Sequence, residues 1–114
     1  MAERTKLIKI PQGDYGWDLI FTCRTATGVV VDITGYTPHF KVWKFNVPGT
    51  LLLNGTGVLL DPTNGTAKYT LLSTDFASGG SVPDVGKYEG ELECTKAGEV
   101  SSYQSCIVQV MPSG

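Results

Sequence analysis

The sequence predicts an all-β fold, a sandwich or barrel of about seven to nine antiparallel strands. Residues with branched side chains, which favour the pleated surface of a strand, are frequent, because the 114 residues include 13 Thr, 11 Val and 5 Ile. Ala, the best helix former, occurs only five times. The 14 Gly and 6 Pro are spread along the whole chain and leave no room for an uninterrupted helix of ordinary length.

Length and composition suit one domain over residues 1–114, with residues 1–13 as an N-terminal arm and first strand. Hydrophobic residues make up 41% and charged residues 18%, which excludes a disordered acidic tail. No apolar run approaches the roughly 20 residues of a membrane-spanning helix. Nine basic and eleven acidic side chains give a net charge of -2. We therefore expect neither a membrane nor nucleic acid as a partner.

Four strands are predicted before residue 50, and the second and third of them form a hairpin. Residues 6–10 form the first strand, which Pro11 stops. Residues 17–25 form the second, because apolar and polar side chains alternate. A tight turn at residues 26–28 leads into residues 29–33 as a hairpin, and residues 39–45 follow, ended by a turn rich in Asn, Pro and Gly. The side chains expected on the inner face of the second strand are Trp17, Leu19, Phe21 and Cys23.

The remaining predicted strands are residues 50–53, 58–60, 66–72, 87–96 and 101–110. The clearest turn is residues 61–65, where Pro62 fixes φ and Asn64-Gly65 accepts positive φ. Residues 73–76 are expected to form one helical turn from a hydroxyl cap. In residues 87–96 the two faces separate strictly: Tyr88, Gly90, Leu92 and Cys94 alternate with Glu89, Glu91 and Glu93.

The three cysteines, Cys23, Cys94 and Cys106, lack the close spacing of a zinc site or a redox pair. We expect reduced thiols packed as small apolar side chains, and leave open a disulfide if two of them meet in the fold. The N-terminus lacks the apolar segment of a secretory signal. Together these features indicate synthesis in a cytoplasm.

A local signature of immunoglobulin-like sandwiches lies at residues 84–88. Asp84, Gly86 and Tyr88 form an Asp-x-Gly-x-Tyr pattern at the entrance to the penultimate strand. In a tyrosine corner the Tyr hydroxyl bonds to backbone a few residues upstream. Antibody-type domains have Cys two residues after this Tyr, whereas this chain has Gly90. The pattern predicts an immunoglobulin-like sandwich without the usual inter-sheet disulfide.

No residue pattern indicates a catalytic, metal or cofactor site. His39 is the only histidine, and neither a phosphate-binding glycine loop nor a spacing typical of metal ligands occurs. Glu89, Glu91 and Glu93 share a strand face and could in principle hold a cation or act as paired carboxylates. We favour a solvated face on which Lys or Thr of a neighbouring strand balances the acids. Asp61 and Asn64 are explained by turn chemistry. The chain is thus expected to be no enzyme and to need no cofactor.

A candidate interaction face lies on the strand at residues 39–45. Phe40 and Val42 would point one way, and the other four side chains would point the opposite way. If that second face is exposed, it offers a platform for sugars or an anchor for a protein partner. We favour an aromatic core strand with one edge at solvent over this binding face. The residues of the candidate face are His39, Lys41, Trp43 and Phe45.

Short segments spread from residue 15 to residue 110 carry a resemblance to a known family. The clearest are WDLIFT at residues 17–22, NGTAKYT at residues 64–70, GKYEGEL at residues 86–92 and IVQV at residues 107–110. Residues 28–35, residues 40–42 and Gly57 add to it. Through them the chain resembles the N-terminal domain of phage baseplate upper proteins, an immunoglobulin-like module of tail baseplates.

The resemblance implies a bacteriophage virion protein without catalytic residues. Its expected partners are other phage structural proteins, and a homo-oligomer is expected as well. The family role would be docking onto other virion proteins or self-assembly within the baseplate or tail. Two alternatives stay open, namely a carbohydrate-binding module that recognises a host-surface glycan through Trp43, and a decoration module of the capsid or tail.

Overall fold

The computed structural model describes residues 3–25, 27–47 and 49–112. Nearly all of its regular structure is β, and no helix in these three ranges is long and apolar enough to span a membrane. A 3₁₀ turn at Pro62–Asn64 is the one helical element described. The strands are β1 Glu3–Pro11, β2 Asp18–Thr22, β3 Thr37–Lys44, β4 Leu51–Thr56, β5 Val58–Asp61, β6 Thr66–Thr70, β7 Gly86–Lys96 and β8 Glu99–Met111.

The strands form two sheets in a sandwich arrangement. The larger sheet has five strands in the order β1-β8-β7-β3-β4, and the smaller has three in the order β2-β6-β5. The prediction of an all-β, immunoglobulin-like sandwich is therefore confirmed. One strand pair differs from the antiparallel prediction, because β1 runs parallel to β8. A parallel pair needs a long crossover, and here the whole intervening chain supplies it.

Aromatic rings from both sheets meet in the core between them. The ring of Phe40 in β3 lies 5.7 Å from that of Phe21 in β2 and 5.4 Å from that of Tyr69 in β6, measured between centroids. All three side chains are buried. In β7 the predicted alternation is confirmed, since its apolar residues are buried and the three glutamates face outward. The two faces of each sheet are therefore separated as the alternation requires.

Three local predictions are wrong. Trp17 precedes β2 and is 37% exposed, so it does not join the inner face of that strand. Residues 29–33 form no strand beyond one bridge between Arg24 and Val30. This segment carries the chain from one sheet towards the other. Its backbone N–H groups form no continuous pairing with a neighbouring strand, and the Ile33 N–H, for example, donates to the Pro62 carbonyl. Residues 73–75 form a turn closed by a hydrogen bond from the Asp75 N–H to the Leu72 carbonyl, and residue 76 lies in a bend, so no helix begins there.

The three cysteines are buried free thiols, as expected. Cys23 follows β2 and Cys94 lies in β7, so the two come from opposite sheets. The two thiols form a hydrogen bond with each other. This bond and the burial of Cys23 raise the pKa of the Cys23 thiol. Cys106 packs against Gly90, where an added Cβ would lie 2.8 Å from its sulfur. The Cys106 thiol thus occupies the space that a side chain at residue 90 would need.

Candidate functional site

The outer face of the five-stranded sheet carries most of the interaction face predicted from sequence. Along β3, Phe40 and Val42 point into the core, whereas His39, Lys41 and Trp43 are half-buried on the outer side. The prediction that Phe45 belongs to this strand and its outer face is wrong. Phe45 lies beyond the end of β3, in a turn closed by a hydrogen bond from the residue 47 N–H to the residue 44 carbonyl, and is 38% exposed.

The β3–β7 register places this face beside the three glutamates. His39 is opposite Glu93, and Trp43 is opposite Glu89. The Lys41 Nζ lies 2.7 Å from a Glu93 carboxylate oxygen, in a partly buried salt bridge. His39 Nε2 and the Thr95 hydroxyl share a hydrogen bond of 3.1 Å. A lysine on the neighbouring strand therefore balances Glu93, as the favoured interpretation of the glutamates expects.

Among the described residues, His39 is not brought beside a thiol. His39 lies on the outer face of its sheet, whereas the thiols of Cys23, Cys94 and Cys106 are buried inside. Within the described ranges no group of three or more His, Cys, Asp or Glu side chains could hold a metal ion. The Asp61 carboxylate accepts hydrogen bonds from Thr63 and Asn64 within its own turn.

One row of register partners crosses all five strands of the larger sheet. Leu7 of β1 pairs with Ile107 of β8, which pairs with Glu89 of β7. Glu89 pairs with Trp43 of β3, and Trp43 pairs with Leu51 of β4 at a bulge. We call these five residues the Trp43 row. Leu7 is 56% exposed and Leu51 is 46% exposed, so the row presents apolar surface to solvent with one carboxylate at its centre.

A groove of about 400 Å³ lies at the middle of the Trp43 row. Trp43 of β3 lines one side, and Ser105 and Ile107 of β8 line the other. Glu89 and Glu91 of the strand between them also line it. The groove therefore combines an aromatic ring, an aliphatic side chain and carboxylates, a mixture suited to an amphipathic or cationic group of a ligand.

The smaller sheet offers a second partly apolar surface. Ile20 of β2 and Val58 of β5 both pair with Lys68 of β6 and are 50% and 53% exposed. Lys68 forms a salt bridge of 3.3 Å with Asp18 on the same face. None of these four residues is aromatic, so substitutions on this surface are matched controls for substitutions on the larger sheet.

The sequence indicated Trp43 as part of a candidate interaction face and Glu89 only as one of three carboxylates on a strand face. It did not indicate Leu7, Ile107 or Leu51. Each of these three lies on a different strand, and residues far apart along the chain meet only through the pairing register. The alternation within each strand shows which residues share a face. It does not show which residue of the next strand lies alongside.

The predicted tyrosine-corner residues lie at the entrance to β7. The Tyr88 hydroxyl donates a hydrogen bond of 2.7 Å to the backbone carbonyl oxygen of Asp84. Gly86 between them has a φ of 145°, a conformation that favours glycine. Burial of Tyr88 and the nearby Asp84 carboxylate raise the pKa of the Tyr88 hydroxyl, which therefore stays protonated as a donor.

Tyr88→Phe is expected to lower the free energy of unfolding by about 1 kcal/mol, because the loop before β7 loses this hydrogen bond. Urea denaturation of the two proteins measures the difference. Tyr15→Phe is the matched control, since Tyr15 is 63% exposed. An unfolding curve of Tyr88→Phe that coincides with wild type would show that the hydroxyl does not stabilise this corner.

Comparison with known proteins agrees with this architecture. No curated protein matches the chain. The family model of the BppU N-terminal domain matches residues 3–112, which is nearly the whole chain. The chain therefore belongs to the family of baseplate upper protein N-terminal domains, structural components of the phage baseplate.

Proposed function

We propose that this protein docks onto another structural protein of the phage baseplate through the outer face of its five-stranded sheet. The observation that carries the proposal is the Trp43 row, which presents Leu7, Ile107, Trp43 and Leu51 side by side across the whole sheet. Membership of a baseplate family makes other baseplate proteins the natural partners.

The row has the composition of a binding surface. Covering a partly exposed aliphatic side chain contributes on the order of 1 kcal/mol, and a Trp near the centre of an interface is often an energetic hot spot. Trp43 lies next to the central strand of the sheet, flanked by Glu89 and Leu51. Lys41 and Glu93 form an ion pair on the same face, a typical element of a polar surround.

The groove beside Trp43 supports a second candidate function, the binding of a host-surface glycan. A sugar ring can stack on an exposed indole, and Glu89, Glu91 and Ser105 provide polar groups around it. We favour protein docking because the apolar residues continue from the groove to Leu7 and Leu51 at the two edge strands, a larger area than a single sugar ring covers.

The test is co-expression of the chain with each of the other baseplate proteins encoded by the same phage. We expect one of them to copurify with the wild-type chain. Trp43→Ser is expected to weaken the measured affinity by about 30-fold or more. Leu7→Ser is expected to weaken it by a smaller factor, because Leu7 lies at the edge strand of the row.

Val58→Ser is the matched control. Val58 and Leu7 are exposed to a similar extent, 53% and 56%, but lie on opposite sheets. The proposal is contradicted if Trp43→Ser binds like wild type, or if Val58→Ser is the variant that loses the partner. Saturable glycan binding that Trp43→Ser abolishes, without any baseplate partner, would establish the second candidate instead.

A further inference from the structure

We propose that the docked partner places a cationic side chain, preferably an arginine, directly against the carboxylate of Glu89. The inference rests on the proposed docking through the Trp43 row. It adds the chemistry that the partner surface must have at one position.

Glu89 lies at the centre of the proposed interface, between two apolar residues of the Trp43 row. It belongs to β7, the central strand of the five-stranded sheet, and its register neighbours are Ile107 on one side and Trp43 on the other. A partner that contacts both apolar neighbours must therefore also cover the carboxylate between them. Glu89 is already half-buried in the free chain.

A covered carboxylate must be compensated. Removing an ionised group from water without a partner charge costs several kcal/mol, whereas a hydrogen-bonded cation repays much of that cost. Within the described residues, the Glu89 side chain has no hydrogen bond or ion pair. Docking would thus leave it uncompensated unless the partner supplies the charge.

The two described lysines beside Glu89 on β3 and β7 are poorly placed to supply it. Lys41 is held by Glu93 at 2.7 Å. Lys87, two residues before Glu89 on the same face of β7, is exposed, and alternate residues of a strand lie about 6.5–7 Å apart. Among the described side chains, no lysine or arginine forms an ion pair with Glu89, so the compensating charge is expected from the partner.

The groove around Glu89 suits a guanidinium group best. Trp43 lines one side, so a planar cation that bonds to the carboxylate can also stack on the indole ring. The groove volume of about 400 Å³ accommodates an arginine side chain. A lysine would satisfy the charge but would lose the stacking and the bidentate geometry.

The sign of the effect of Glu89→Gln on affinity tests the inference. If a partner cation faces Glu89, the neutral amide leaves that cation covered and unpaired, so affinity should fall by about 30-fold or more. If the partner surface is uncharged there, removing the carboxylate charge should leave affinity unchanged or improve it, which would overturn the inference. The affinity is measured by titration calorimetry with the baseplate protein that copurifies with the wild-type chain.

Asp18→Asn is the matched control, because it removes the same charge from the outer face of the smaller sheet. We expect its affinity to equal that of wild type. Urea denaturation of both variants checks that they fold. Replacing the facing basic residue of the partner by Glu, combined with Glu89→Arg, should restore binding that either change alone weakens, and failure of this rescue also counts against the inference.

The outcomes separate the two proposals. If Trp43→Ser loses the partner and Glu89→Gln does not, docking through the row stands and the cation is refuted. If the wild-type chain binds none of the baseplate proteins, the proposed docking fails and the inference fails with it.

Discussion

Gly55→Ala should lower the free energy of unfolding by about 3 kcal/mol or more, because the added methyl group has no space. Gly55 lies in β4, and a Cβ there would overlap the ring of Tyr69 and lie 2.6 Å from its hydroxyl oxygen. Tyr69 belongs to β6, on the other sheet. The glycine therefore allows an aromatic side chain of one sheet to approach the backbone of the other.

The Tyr69 ring cannot easily move aside. Its side chain is 3% exposed, and its ring packs 5.4 Å from that of Phe40, measured between centroids. Its hydroxyl donates a hydrogen bond of 2.5 Å to the Asp75 carboxylate. Relief of the overlap would disturb the packing or this hydrogen bond, so the cost is expected at the upper end of overpacking.

Urea denaturation monitored by Trp fluorescence measures the change. Gly49→Ala is the control, because a Cβ at Gly49 meets no atom within 4 Å. We expect its stability to lie within about 0.5 kcal/mol of wild type. Equal stabilities for Gly55→Ala and Gly49→Ala would mean that Tyr69 does not pack on β4 as described.

Asp75→Ala should destabilise the fold by about 2–4 kcal/mol, because the buried Tyr69 hydroxyl and the partly buried Leu72 N–H lose their acceptor. Asp75 is 2% exposed, and it is the one acidic or basic residue that is buried among the described residues. One carboxylate oxygen accepts from the Tyr69 hydroxyl at 2.5 Å and from the Leu72 N–H at 2.9 Å. Burial and the carboxylate raise the pKa of the Tyr69 hydroxyl, which keeps it a donor.

Two variants make this prediction specific. Asp75→Asn keeps an acceptor oxygen and is expected to cost less than Asp75→Ala. The double variant with Tyr69→Phe is expected to cost less than the sum of the single changes, because the two groups bond to each other. Additive free energies from urea denaturation would show that the hydrogen bond does not couple Tyr69 to the loop after β6.

Strand patterns that depend on neighbouring residues were predictable. The alternation of Tyr88, Gly90, Leu92 and Cys94 with the three glutamates correctly separated the inner and outer faces of β7. The turn at residues 61–65 was also correct, and Gly65 in it has a φ of 71°. Both follow from local physics, namely the two-residue period of a strand and the conformational freedom of glycine.

Features that depend on distant residues were not predictable from one sequence. The segment at residues 29–33 has the composition of a strand, yet it forms one bridge and sends the fully buried Ile33 into the core. The requirement to cross between sheets outweighed its β-propensity. Gly55 likewise lies outside the predicted strands at residues 50–53 and 58–60, yet it belongs to β4, and its role depends on Tyr69 of another strand.

By itself the sequence determined that this is an all-β baseplate-family domain, and which side chains share a strand face with Trp43 on β3 and with Glu89 on β7. Only the tertiary structure decided that these two residues are adjacent and form one row with Leu7, Ile107 and Leu51. The physical reason is that side-chain direction follows from local backbone geometry, whereas the register between strands depends on how the whole core packs.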